Sequence, residues 1–399
     1  MQADASSIPI LIAVALILII GYIGKAIFNR TKIPEALILI LIGLLLVPVA
    51  HLLPANYVSA LRSLAAVFGD IALTIIMYNG GKAIILNKEL LKDSNGLILG
   101  FFDTLLPTVV LAIVMKIGFG WPLIYGAIMG AVLGETSAVI VLPLIRKIEI
   151  PQSIFNSLVM EVTLNSVFAI LFFELLLSFS GGQVFSANVF VNLAVDYVSV
   201  AIAIGLIAGL LWLLVQSYVK GAREYLATIA MAILLYGIVE LFNGAAAISV
   251  LIFAIILGNY KPITEHLGIN IDINEAQKNE TQAIEKGLEF LVMTFFFVFI
   301  GMIAVLSVQY FEYALAITII LCIIRYAEVM FVFRKNSEYQ DTVFAMMQRG
   351  TVVAVLSAIL FSIGGSYFDK IFYICFMTII LTNILGSILL SKSKMKIKQ

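Results

Sequence analysis

The chain has 399 residues, of which 62% are hydrophobic and 12% are charged, and its mean hydropathy is +1.11. The 24 basic and 24 acidic residues cancel, so the net charge favours neither nucleic acid nor an acidic partner. Soluble domains carry about 25% charged residues. The composition therefore predicts an all-α polytopic membrane protein.

The sequence contains no glycine-rich phosphate loop, no metal-ligand cluster and no catalytic triad, so we expect neither an enzyme nor a bound cofactor. Cys322 and Cys375 lie in apolar runs and are expected to be core residues rather than a disulfide. The first residues are acidic and run into an apolar segment of spanning length, so we expect no cleavable signal.

Apolar segments of about 20 residues, the length that crosses a bilayer, recur about thirteen times along the chain. They cover residues 8–27, 34–53, 59–79, 97–117, 121–145, 152–179, 188–219, 223–242, 245–260, 285–308, 311–333, 342–363 and 368–390. The segment at 188–219 is long enough to require tilt or extension beyond the bilayer. The polar stretch at 261–284 is expected to be a cytoplasmic linker with room for a short surface helix.

Basic residues alternate between the connecting loops, which predicts the orientation of the chain. One set of connections includes Arg30, Lys88, Arg146 and Lys220, whereas the alternate connections, such as 54–56 and 181–186, carry no basic residue. The pattern predicts an odd number of spans, with the amino terminus outside and the carboxyl terminus in the cytoplasm. We therefore expect a multi-pass protein of the plasma membrane.

The fifth segment carries Gly126, Gly130 and Gly134 at every fourth position, followed by Glu135-Thr136-Ser137. Small residues at this spacing are typical of close helix packing. The acid and hydroxyl residues add a second interpretation, since a break in the helix would expose carbonyl oxygens near the midplane, where transporters hold ions. Both interpretations stay open at this stage.

The sixth segment carries Glu161, Asn165 and Ser166, and a four-residue spacing places Glu161 and Asn165 on one helix face. A carboxylate at membrane depth is costly and is by default a functional-site hypothesis. The alternative is that Glu161 forms a structural ion pair with a buried arginine, for which Arg325 and Arg349 are the candidates.

Several stretches resemble, in order, the cation:proton antiporter superfamily of sodium/proton exchangers. They are Ile33 to Leu45, Thr74 to Gly81, Gly134 to Leu144, Glu161 to Ser166, Phe296 to Met302 and Gln348-Arg349-Gly350. The resemblance implies inverted repeats, two discontinuous crossing helices and a homodimer. It also implies a single transporter domain over 1–399, with scaffold helices at 8–80 and 188–260 and core helices at 97–180 and 311–390.

The resemblance also implies roles for individual residues. Thr136 would bind the ion, Glu161 and Arg325 would form the family's ion pair, and Arg349 with Gly350 would serve the second crossing helix. The family's aspartates fall here on Ser137 and Ser166, whose hydroxyls do not titrate in a useful range.

The segment that holds Glu135 contains no basic residue, and burial favours the protonated form of a carboxyl group. Our hypothesis is that Glu135 takes over the exchanging role. The full candidate ion and proton site is Glu135, Thr136, Ser137, Glu161, Asn165 and Ser166, with Asp103 as a further possible member.

These observations predict a secondary active transporter that exchanges Na⁺ or K⁺ for H⁺ by alternating access, with the cation, the proton and the lipid bilayer as its partners. Three alternatives stay open: a proton-uncoupled cation uniporter or channel-like relative, an exchanger of a different solute, and a non-transporting membrane scaffold or sensor. Buried charges at positions 135, 161, 325 and 349 argue against the last of these.

Overall fold

A computed structural model describes residues 15, 17–19, 21–24, 35–46, 57–84, 94–180, 187–216, 222–267 and 275–392. The regular secondary structure in these residues is helical. This agrees with the all-α prediction. Most of the first predicted span, several of the basic loops and the lysine-rich end of the chain lie outside the described residues.

Fifteen α-helices are numbered here in chain order. They are α1 Glu35–Leu44, α2 Tyr57–Ala83, α3 Ser94–Phe119, α4 Leu123–Leu133, α5 Ala138–Ile145, α6 Gln152–Phe179, α7 Ala187–Gln216, α8 Ala222–Leu241, α9 Ala246–Gly258, α10 Tyr260–Leu267, α11 Glu275–Ile303, α12 Val308–Val332, α13 Gln340–Ala345, α14 Thr351–Ile363 and α15 Ser366–Lys392. A short 3₁₀-helix at Ser337–Tyr339 precedes α13.

Within the described residues, 7 helical segments are long and apolar enough to cross a membrane, and three shorter apolar helices accompany them. The predicted span at 152–179 coincides with α6. Helix α7 has 30 residues, which corresponds to about 45 Å at 1.5 Å per residue and exceeds a hydrocarbon core of about 30 Å. The chain is therefore a multi-pass membrane protein.

Two helix boundaries differ from the prediction in an informative way. The polar stretch after residue 260 contains the predicted short helix, α10, but α11 already begins at Glu275, ten residues before the predicted span. Polar residues with good helix propensity extend the apolar segment at its start. The predicted split between α8 and α9 is present, and Asn243 adopts a positive φ of 51° that asparagine tolerates well.

The chain forms two compact units. Unit I contains residues 1–69, 136–151 and 290–399, and unit II contains residues 70–135 and 152–289. In unit II, α3, α4 and α6 pack on one another, and α7, α8 and α9 form another group. In unit I, α15 packs on α12, α13 and α14.

Both predicted helix breaks are present. Helix α4 ends at Leu133 and the chain resumes as α5 at Ala138, whose preceding residue Ser137 is extended, with φ −70° and ψ 110°. The second break separates α13, which ends at Ala345, from α14, which begins at Thr351. The residues between each pair leave peptide groups without helical partners, so other polar groups must satisfy them.

The glycine spacing in α4 brings it close to α3. A Cβ atom on Gly130 would overlap the carbonyl oxygen of Pro107, and one on Gly126 would lie 2.8 Å from the carbonyl oxygen of Leu111. A Cβ atom on Gly134 would lie 2.8 Å from the Cα atom of Thr104. The packing interpretation of this spacing is therefore confirmed, and the same segment also ends in the predicted break.

Candidate functional site

In unit II, the side chain of Asn165 joins α6 to α3 and to the end of α4. Its Nδ2 atom lies 2.8 Å from the carbonyl oxygen of Gly134, 3.2 Å from Thr104 Oγ1 and 3.3 Å from Asp103 Oδ2. An amide nitrogen carries two hydrogens, so the three acceptors share them. Asn165 thereby binds a carbonyl group at the helix break and holds the carboxyl group of Asp103 in the same cluster.

Glu135 is the first residue after Gly134, and its side chain is only 1% exposed. The hydroxyl group of Ser166 lies 3.2 Å from Glu135 Oε1 and 3.1 Å from the carbonyl oxygen of Val162, so it donates to one of them at a time. The structure therefore brings Glu135 and Ser166 together, although they are predicted from separate motifs.

Asp103 and Glu161 occupy fully buried positions, each with a relative exposure of 0%. Asp103 is the further possible member of the predicted site, and its carboxyl group contacts Asn165, the residue before Ser166 on α6. Glu161 lies one helical turn before Asn165 on α6. The pairing of Glu161 with Arg325 stays a prediction.

In unit I, the residues that follow the first break lie beside the second break. The backbone N–H of Ser137 donates to the carbonyl oxygen of Gln348 at 2.9 Å, and Arg349 Nη1 donates to Thr136 Oγ1 at 2.6 Å. The side chain of Ser137 fills the space that a Cβ atom on Gly350 would need. Arg349 and Gly350 therefore contact the two residues that precede α5.

Two side chains on α15 hold the backbone of Arg349 from the other side. Asn383 Nδ2 donates to the carbonyl oxygen of Arg349 at 2.7 Å, and the backbone N–H of Arg349 donates to Thr382 Oγ1 at 3.3 Å. These contacts satisfy peptide groups that the break removes from the helical pattern.

Arg325 on α12 binds the end of α13. Its Nη2 atom donates to the carbonyl oxygens of Val343 and Met346, at 3.2 and 3.3 Å respectively. A cation at a helix carboxyl end is favourable because carbonyl oxygens point toward it. Arg325 therefore binds the backbone at the start of the second break. Its pairing with Glu161 is a separate prediction.

Sequence reasoning missed four residues at these two places: Thr104, Gln348 as a side chain, Thr382 and Asn383. Each is a polar residue in an otherwise apolar helix or beside a break, and all four are buried. The sequence signal was present for Asn383, since a buried amide within a membrane span needs a hydrogen-bond partner. Its partner, Arg349, is 34 residues away in sequence.

The residues near Asn165 present carboxylate, hydroxyl and carbonyl oxygens, which are the hard ligands that alkali cations prefer. A carboxyl group can also accept a proton in place of a cation. Within the described ranges, no group of three or more His, Cys, Asp or Glu side chains is arranged to hold a metal ion. The chemical groups of this site are therefore compatible with either a cation or a proton.

Comparison with known structures identifies the same architecture elsewhere. The fold matches the structure of the sodium proton antiporter MjNhaP1 from Methanocaldococcus jannaschii at pH 8 with a TM-score of 0.77 and 19% identity, over 96% of this chain and 98% of that chain. An electron-microscopy map of MjNhaP1 matches with a TM-score of 0.73 and 18% identity, over 96% and 95% of the two chains. Identities this low establish the shared fold alone.

Comparison with protein families extends the match to the sequence. The family described as sodium/hydrogen exchanger, transmembrane, matches residues 13–392, which is nearly the whole chain and includes both helix breaks. The predicted resemblance to the cation:proton antiporters is therefore confirmed, and the chain belongs to the transmembrane sodium/hydrogen exchanger family.

Proposed function

We propose that the chain is a secondary active transporter that exchanges a monovalent cation, Na⁺ or K⁺, for H⁺ by alternating access. Membership of the sodium/hydrogen exchanger family supports this proposal, as does a fold shared with a sodium proton antiporter. The two discontinuous helices support it as well. Non-helical backbone at membrane depth is tolerated only where it is buried in protein or lines a water-filled cavity, and transporters build their ion sites from such breaks.

Glu135 is the group that binds the cation and the proton in turn. The observation that carries this assignment is the contact between Glu135 Oε1 and Ser166 Oγ at 3.2 Å. The sequence resemblance places a family aspartate at the position of Ser166. In this proposal, the carboxyl group of Glu135 replaces the one that the resemblance leads us to expect at position 166. Burial favours the protonated form of a carboxyl group and a bound cation favours the ionised form, so the two ligands compete.

The remaining site residues have supporting roles in this proposal. Asn165 and Ser166 provide neutral oxygens near Glu135, and Asp103 adds a second carboxyl group through Asn165. Thr136 and Ser137 add hydroxyl groups from within the break itself. Glu161 with Arg325 forms a structural ion pair, and Arg349 with Gly350 supports the second break.

We also propose that the protein lies in a prokaryotic plasma membrane as a homodimer, with its amino terminus outside and its carboxyl terminus in the cytoplasm. The alternation of basic residues between loops supports this orientation. In this proposal, the core helices at 97–180 and 311–390 move against the scaffold helices at 8–80 and 188–260.

A transport assay in proteoliposomes tests the proposed exchange. A pH gradient is imposed with a pH-sensitive dye inside the vesicles, and Na⁺, K⁺, Li⁺ or Ca²⁺ is then added outside. We expect monovalent cations to release protons and Ca²⁺ to have little effect. Cation flux without proton movement would instead assign the chain as a uniporter, and no flux of any cation would contradict transport of these ions.

A further inference from the structure

The end of α2 carries an ion pair that has no part in the proposed ion site. Lys82 Nζ lies 2.8 Å from Glu285 Oε2 on α11. The same ammonium group lies 5.8 Å from the ring centroid of Tyr78 and 5.9 Å from the ring centroid of Tyr225. A cation within about 6 Å of an aromatic ring is attracted to it. Within unit II, Lys82 therefore joins α2 to α8 and to the first part of α11, residues 275–289.

The two tyrosine rings are held in place by their own contacts. They meet edge to face with their centroids 6.1 Å apart, and Tyr78 also lies 6.5 Å from the ring of Phe253 on α9. The two tyrosines are buried, with exposures of 4% for Tyr78 and 2% for Tyr225. Because the rings are already fixed, they lose little side-chain entropy when the ammonium group of Lys82 packs on them.

The backbone at Lys82 is packed closely on the end of α9. A Cβ atom on Gly258 would lie 2.6 Å from the carbonyl oxygen of Lys82. Asn259 Nδ2 donates a hydrogen bond to the carbonyl oxygen of Ile84 at 2.8 Å. The α2 side of the ion pair is therefore fixed to α9, so breaking the pair releases α11 rather than α2.

On α11, one helix face carries the groups that meet Lys82 and Tyr225. Glu285 and Glu289 are four residues apart and share a face. Both carboxylates act electrostatically on the hydroxyl group of Tyr225, so this face lies toward α8. The side chains of Lys82 and Glu285 are 36% and 16% exposed. Ion pairs with this degree of exposure are weak, so this pair can open and close reversibly.

Helix α11 has a special place in the order of the chain. The boundary between unit II and unit I falls within it, between Glu289 and Phe290. In the proposed exchange it also connects the scaffold helices at 188–260 to the core helices at 311–390 and belongs to neither set. When the core moves against the scaffold, the contacts at the ends of such a connecting helix have to change. A contact that fixes the first part of α11 therefore opposes the movement.

We propose that Lys82 and Glu285 form a latch that holds the first part of α11 on α2 and α8, and that the opening of this latch limits the rate of exchange. This inference rests on the proposed function for the step that the latch controls. Lys82 and Glu285 are positioning residues, since they act through α11 and not on the transported ion. A contact made in only one conformation slows the departure from that conformation, and such movements often set the turnover rate.

Exchange kinetics in proteoliposomes test the role of the latch. Lys82→Gln and Glu285→Gln are each expected to raise the maximal rate by about two- to fivefold, the range of a weak ion pair, and to keep the half-saturating cation concentration. The double variant is expected to be no faster than either single variant, because both changes remove one contact. Lys82→Arg keeps the charge and is expected to keep the native rate, as is Lys286→Gln, which removes an exposed charge from α11.

Hydrogen–deuterium exchange of the full chain in detergent tests the latch without transport. The amides of residues 284–289 are expected to exchange about two- to fivefold faster in Lys82→Gln and Glu285→Gln, whereas those of α6 and of the Lys286→Gln control keep their native rates.

The two possible failures are distinguishable. If the native protein exchanges cations for protons but both neutral variants keep its maximal rate or its amide exchange, the latch is overturned and the proposed function stands. A change in the half-saturating concentration in place of the rate would also overturn it. If the native protein moves no cation, the proposed function fails, and the amide exchange alone decides whether Lys82 and Glu285 hold α11.

Discussion

Gly350 gives the most direct structural prediction, because the side chain of Ser137 packs directly against its Cα atom. A Cβ atom there would overlap Ser137 Oγ, lie 2.5 Å from Ser137 Cβ and lie 3.2 Å from Ile140 Cδ1. Carbon atoms pack at about 3.5–4.0 Å, so the contact with Ser137 is about 1 Å too short. We expect Gly350→Ala to destabilise the protein by about 1–3 kcal/mol, which is the usual cost of overpacking.

A double substitution tests whether Ser137 is the cause. Ser137 precedes α5 but makes no side-chain cap hydrogen bond, so Ser137→Gly is expected to cost only a few tenths of a kcal/mol. Combining it with Gly350→Ala removes the atoms that clash. The double variant is therefore expected to recover most of the lost stability, with a coupling energy of about 0.5–3 kcal/mol.

The assay is thermal unfolding of the four purified proteins in the same detergent, with oligomeric state checked by size-exclusion chromatography. Additive effects of the two substitutions would refute the reasoning, because they would mean that Ser137 and Gly350 do not share this space. A stable Gly350→Ala variant would refute it as well.

Three other substitutions test packing and charge in unit II. Gly130→Ala would overlap the carbonyl oxygen of Pro107 and is expected to lower the unfolding temperature, whereas Gly118→Ala, at a position with open space, is expected to keep or raise it. Lys82 Nζ and Glu285 Oε2 lie 2.8 Å apart, but Lys82 is 36% exposed, so Lys82→Met is expected to cost about 0–1 kcal/mol. A large loss of stability in Lys82→Met, measured by the same unfolding assay, would contradict the expectation that this partly exposed ion pair contributes little.

Much of the fold could be predicted from sequence because the bilayer imposes a length and an apolar composition on each span. The span at 152–179 and the split at Asn243 follow from these constraints and from local turn chemistry. The start of α11 at Glu275 could not be predicted in this way, because polar residues outside the bilayer carry no hydropathy signal.

The candidate site was predictable only in part. Glu135 and Ser166 were identified as costly or unusual residues in apolar segments, but their contact depends on how α4 and α6 pack. Periodicity describes the faces of a single helix and cannot identify its partner. The support of Arg349 by Asn383 was missed for the same reason, since 34 residues separate the two in sequence.

Replacement of Glu135 by glutamine tests the central claim most directly. Glutamine keeps the shape of the side chain but cannot bind a proton in exchange for a cation. Native protein, Glu135→Gln, Glu161→Gln and the exposed control Glu149→Gln are reconstituted into proteoliposomes at equal density, and cation-dependent proton release is measured. We predict that Glu135→Gln abolishes proton release and that Glu149→Gln retains it. Native exchange in Glu135→Gln would contradict the account, and loss in Glu161→Gln alone would move the coupling role to α6.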